Sequence, residues 1–168
     1  MRSTLRSWIL PLIVLAILLA TVPAAIHRIV QTGNLYLFTR DFFDDMVARL
    51  SGPGRFRFIM QPLVAIFLGS RDGVKDAQKG LPPFLWSLVF HGEHRSQLLR
   101  SALVSVRNLV AIAILLDIIS QFLIFRRIHP GAAVILGPVL ISLPYALARA
   151  FANRIARRRG QRLGLLKS

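Results

Sequence analysis

Cysteine is absent from this 168-residue chain, which excludes disulfides, thiolate metal sites and a cysteine nucleophile. Acid is scarce: seven Asp and Glu stand against 22 Lys and Arg, for a net charge of +15. The sequence has no phosphate-binding glycine loop, no Gly-x-Ser-x-Gly elbow and no His-Glu-x-x-His pair, so the usual signatures of nucleotide binding, serine hydrolysis and zinc proteolysis are missing. No catalytic residue, metal or cofactor is expected on these grounds.

What the chain has is apolar residues, 54% of the total at a mean hydropathy of +0.57. A soluble domain of this size must keep a polar surface, and this composition leaves too little of it. The bases would suggest nucleic acid in a soluble protein. Here they flank apolar runs, which instead fits the positive-inside rule and attraction to anionic lipid headgroups. No nucleic-acid partner is expected. The expected fold class is therefore all-α: an integral membrane helical bundle of about four transmembrane helices with additional interfacial amphipathic helices, forming a single membrane domain over residues 1–168.

Residues 8–28, after Arg2 and Arg6, are apolar except at a few positions and are expected to form the first span. A signal peptide is the alternative, but Val22-Pro23-Ala24 makes a poor cleavage site. In residues 35–50 the apolar side chains fall at Leu35, Phe38, Phe42, Met46 and Leu50, a helical spacing that predicts an interfacial helix. Residues 56–70 read as a short transmembrane or re-entrant segment, with Arg57 and Arg71 snorkelling at its ends. Residues 71–100 are expected to be a cytoplasmic link that carries a short interfacial helix after Pro82-Pro83. Spans follow at residues 102–125 and 132–151, joined by a turn short enough to make them antiparallel neighbours. Pro138 and Pro144 are expected to kink the last span, and Ala133 and Gly137 offer a small-xxx-small packing face. Residues 152–168 form a basic tail. Four spans put both termini in the cytoplasm, three put the N terminus outside, and both place residues 71–107 and the C terminus inside.

Asp117 lies at the middle of an apolar run, residues 109–125. A charge at the bilayer centre costs on the order of 3 kcal/mol on insertion scales, which makes Asp117 an intramembrane functional candidate. Gln121, one turn on, shares its face. Arg107 and Arg126 lie roughly 13 to 15 Å from it along the axis and are too far to pair directly. The expected partners are neutral: Ser142, Tyr145 or Thr21. A protonated acid, an ion-coupling carboxylate and a contact with another protein all remain open for it.

Two histidines and an acid, His91, Glu93 and His94, follow the second short apolar piece, but their spacing is wrong for the familiar zinc helix and an interfacial polar turn is expected. The string Gly69-Ser70-Arg71-Asp72-Gly73 lacks the alternating acids of a calcium loop. Ser101, Ser105 and Asn108 share a face suited to joining helices. In the tail, Arg154, Arg157, Arg158 and Arg159 are the expected lipid-headgroup contacts. The general plan resembles that of small bacterial inner-membrane proteins, a resemblance that carries no residue assignments. It implies a multi-pass inner-membrane location, and the distribution of bases puts the C terminus in the cytoplasm. The function expected is that of a non-catalytic accessory or assembly subunit, acting through helix packing, lipid contact and other membrane subunits. A small transporter or channel component using Asp117 is the alternative, and a lipid-modifying enzyme built on the His91 region comes third.

Overall fold

The computed structural model describes residues 2–33, 36–52, 54–90 and 92–162. Within them the chain is all-helical, with six helices: α1 (Arg2–Thr32), α2 (Arg40–Ser51), α3 (Arg57–Gln78), α4 (Phe84–Phe90), α5 (Gly92–Phe125) and α6 (Pro130–Arg162). Three of these are long and apolar enough to cross a membrane, over Trp8–Thr32, Arg95–Phe125 and Pro130–Gln161.

The boundaries follow from local chemistry. Thr39 caps α2 by accepting from the Phe42 N–H, and Gly52 closes that helix. At the end of α3 the Leu81 N–H reaches the Asp76 carbonyl at 2.9 Å and the Gly80 N–H reaches Ala77 at 3.0 Å. Gly80 sits at φ +73, the left-handed position that this paired cap requires and glycine takes without penalty. Pro82-Pro83 then precede α4. Arg126, at φ 53, ends α5, and Pro130 opens α6 at the first helical position, where its missing N–H costs nothing.

Several expectations need correction. Residues 56–70 are not a separate short piece: α3 begins at Arg57 and continues without a break through the supposed link to Gln78. Its Asp and Lys lower its hydropathy but do not stop a helix, because propensity and apolarity are different properties. This helix is not among the three that meet the length and composition of a span. Helix α5 starts at Gly92 instead of residue 102, and α6 extends from Pro130 as one element past Pro144 and through the basic stretch to Arg162. Pro138 and Pro144 both lie inside this helix. Leu35 and residues 163–168 lie outside the described residues.

The chain divides into two compact units, one of residues 1–60 and 108–140, the other of residues 61–107 and 141–168. In the first, Phe42, Ala132 and Leu136 form a core on which Tyr36, Leu37 and Met46 pack. Gly137 meets the α5 backbone there; a Cβ would come within 2.9 Å of the Ile114 N, so the expected close approach through this glycine is present. In the second unit Leu98, Ile141 and Tyr145 are fully buried. Gly69 and Gly73 lie against the backbone carbonyls of Tyr145 and Arg149, where any Cβ would collide. The five-residue string that fails as a calcium loop is thus a Gly-xxx-Gly contact, which lets two helices approach to backbone distance.

Candidate functional site

Within the first unit Asp117 is completely buried and its Oδ1 pairs with the Arg57 Nη2. Its other oxygen accepts from the Gln121 amide at 2.6 Å. Gln121 continues the chain of bonds: its carbonyl accepts from the His129 backbone N–H at 2.6 Å, and its amide is 3.4 Å from the His129 carbonyl. Gln121, expected only to share the face of Asp117, is hydrogen-bonded to it. The neutral partners expected from Ser142, Tyr145 or Thr21 are not: the partner is a cation, Arg57, which had been placed at a membrane boundary. Thr21 instead donates to the Leu18 carbonyl at 2.7 Å. Arg57 is itself buried and lies over the Phe58 ring at 4.6 Å, while its Nε and Nη1 have no acceptor.

A second polar group in the same unit gathers around Tyr36. Its hydroxyl donates to Asp45 at 2.5 Å, and its ring stacks on His129 with centroids 3.7 Å apart. Arg49, fully buried, reaches the Tyr36 hydroxyl at 3.4 Å and lies 5.6 Å from the Phe125 centroid, yet its Nε and Nη1 are unpaired. Burial, then the hydrogen bond to Asp45, holds the Tyr36 phenol well above its ordinary range. Burial, followed by the charge of Arg28, pushes His129 down to about 4, so the imidazole is neutral at physiological pH. Next to these groups a cavity of about 780 Å³ opens, lined in part by Tyr36, Asp45, Phe125 and His129.

The second unit holds a different arrangement. Arg149 is buried and clamps Asp76 with two bonds, Nε to Oδ2 at 2.6 Å and Nη2 to Oδ1 at 3.1 Å. It also donates to the Tyr145 hydroxyl at 3.0 Å and to Ser101 at 2.8 Å, and it covers the Phe84 ring at 4.7 Å. Tyr145 in turn donates to Asp72 at 2.8 Å, and Asn153 holds the Leu81 carbonyl at 3.1 Å. Asp72 also lies within 3.9 Å of Lys75. Arg149, inside the span expected over residues 132–151, is an interior residue.

Of the four expected headgroup contacts, Arg154, Arg158 and Arg159 are exposed on α6 and Arg157 is partly covered, 3.5 Å from the Gly80 carbonyl. His91 and the side chains of Glu93 and His94 lie outside the described residues. Among the described residues no group of three or more His, Asp or Glu converges as for a metal. No protein family, no curated protein and no solved structure matches this chain.

Proposed function

We propose that the chain is a non-catalytic accessory or assembly subunit of a complex in the inner membrane of a bacterium, with its C terminus in the cytoplasm. The observation that carries this reading is the state of α1. Only 6% of its apolar window is buried, against 33% for the windows in α5 and α6, so its own chain covers almost none of it. Ala16, Ala20 and Ala24 are exposed along one side at four-residue spacing, which would let a helix of another subunit approach closely. The exposed bases of α6, Arg154, Arg158 and Arg159, support contact with anionic headgroups on the cytoplasmic side.

The test is purification from native membrane in mild detergent, with identification of what accompanies the chain. A stable heteromeric complex, dissociated by Ala16→Leu together with Ala20→Leu, is the expected outcome. A homogeneous oligomer of this chain alone, or a monomer, defeats the proposal. Reporters fused after residue 78 and at the C terminus are both expected in the cytoplasm.

A second reading, a small transporter or channel component, is supported by the Arg57–Asp117 pair, whose guanidinium keeps donors unpaired in a buried place. Asp117→Asn keeps the shape and removes the charge. Growth and transport phenotypes unchanged by that substitution would end ion coupling through Asp117.

A further inference from the structure

The cavity of the first unit carries charges of both signs that do not neutralise one another. Arg28, Arg40 and Arg127 line it, and so do Asp41, Asp44 and Asp45. None of these three guanidiniums comes within ion-pair distance of any of the three carboxylates. The contacts they do make are slight on the basic side, where Arg28 is 3.4 Å from the Ile128 carbonyl, and local on the acidic side, where Asp45 accepts from Tyr36. Unpaired opposite charges around one concavity match a ligand that bears both.

Each simpler ligand meets an obstacle. A plain anion would face three carboxylates on the same wall, and a metal ion or an amine would face three guanidiniums, with the charge of fully buried Arg49 one side chain away behind Tyr36 and Phe125. Arg49 also adds net positive charge behind the wall while two of its nitrogens lack partners, which favours a ligand whose anionic part is the stronger charge. The rest of the lining is apolar, with Ala25, Ile29 and Leu37 among it. The volume, about 780 Å³, is that of a site for a small organic molecule. The wall is also built: Tyr36 is fixed by Asp45, Arg49 and the His129 stack, and Gln121 holds the His129 backbone from below.

We propose that this cavity binds a phosphate–ammonium zwitterion of the phosphoethanolamine type, its phosphate on Arg28, Arg40 and Arg127 and its ammonium on Asp41 and Asp44. The bidentate fork of arginine suits phosphate oxygens, and carboxylates accept the ammonium protons. The source of the ligand is a lipid headgroup, with its chains along the exposed apolar residues Ile26 and Val30 of α1, or a free phosphorylated amine. The chemistry at the cavity is the same for both.

Native mass spectrometry of the delipidated full-length chain in detergent tests this with phosphatidylethanolamine, phosphatidylglycerol and, separately, soluble phosphoethanolamine. Wild type is expected to retain phosphatidylethanolamine over phosphatidylglycerol. Asp41→Asn with Asp44→Asn should weaken phosphatidylethanolamine about tenfold, the loss of a charged partner, and strengthen phosphatidylglycerol, which those carboxylates oppose. Arg40→Gln with Arg127→Gln should weaken both lipids. All four side chains are exposed, and Arg154→Gln with Arg158→Gln serves as the control that should change no preference. Soluble phosphoethanolamine that binds alone and displaces the lipid supports the site with a free ligand as its source; retention of lipid only supports a headgroup source. Equal retention of the two lipids by wild type, without binding of phosphoethanolamine, overturns the proposal, and so does a preference that the Asp41/Asp44 variant leaves intact.

Discussion

Each unit buries one arginine against one carboxylate, and the two pairs are furnished very differently. Arg149 has Asp76 on Nε and Nη2, Ser101 also on Nη2, Tyr145 on Nη1 and an aromatic face beside it. Arg57 has one oxygen of Asp117, with its Nε and Nη1 unpaired. Guanidinium offers five donors, and a buried ion pair stabilises only when those donors are satisfied, since desolvation otherwise exceeds the attraction. The first arrangement is therefore a fixed joint. The second is held at a cost to stability, and it stands in the unit that also contains Arg49 and the charged cavity.

The largest effect should come from breaking the satisfied joint. Arg149→Met leaves Asp76 buried without its partner and is expected to destabilise by about 3 to 5 kcal/mol, read as a lowered thermal midpoint in detergent. The sharper contrast lies in replacing whole pairs. Arg57→Met with Asp117→Leu should be neutral or modestly stabilising, because relief of the unsatisfied pair is partly offset by the Gln121 amide losing its short acceptor. Asp76→Leu with Arg149→Met should still lose about 2 kcal/mol, because Tyr145 and Ser101 lose a buried donor. If both double variants move the midpoint in the same direction, the distinction between the two pairs does not hold.

A smaller loss, about 1 to 3 kcal/mol, is expected from Gly73→Ala, which forces a methyl against the Arg149 carbonyl. The matching Gly33→Ala, where no atom lies within 4 Å, leaves packing untouched and tests only the strain of φ +69. The smallest effect concerns pH. The folded state holds His129 at about 4, below its ordinary 6.5, so between those values the unfolded chain binds more protons. Stability contributed by neutral His129 is complete above about 6.5 and is lost as pH falls toward about 4. A thermal midpoint that declines through this window in wild type, with a shallower decline in His129→Phe, checks the sign.

The helical class and the three apolar spans were legible because length and hydropathy are local properties that periodicity reports. Asp117 and Gln121 were legible for the same reason, as polar residues in an apolar run. Their partner was not. Arg57 stands at the edge of a short apolar stretch, where a base ordinarily snorkels, and nothing local distinguishes a snorkelling arginine from one that turns inward to a carboxylate far along the chain. Asp76 and Arg149 are hidden similarly, since each lies in a charge-rich stretch that reads as solvated. One signal was present and went unread: glycines at 69 and 73 have the spacing of helix contact, although the string fails as a calcium loop. The cavity charges are legible only as a list, because their meaning depends on their failing to pair.

The Asp76–Arg149 clamp also has a consequence in time. Its members are 73 residues apart, and a ribosome adding about 5 to 20 residues per second leaves an interval of roughly 4 to 15 s between them. Throughout that interval the nascent chain holds a carboxylate whose counter-ion has not been made, so α3 cannot complete its burial when it emerges. The final helix ends the wait by bringing the arginine. A chain released early, before residue 149, keeps that acid unmatched and its Gly-xxx-Gly face open.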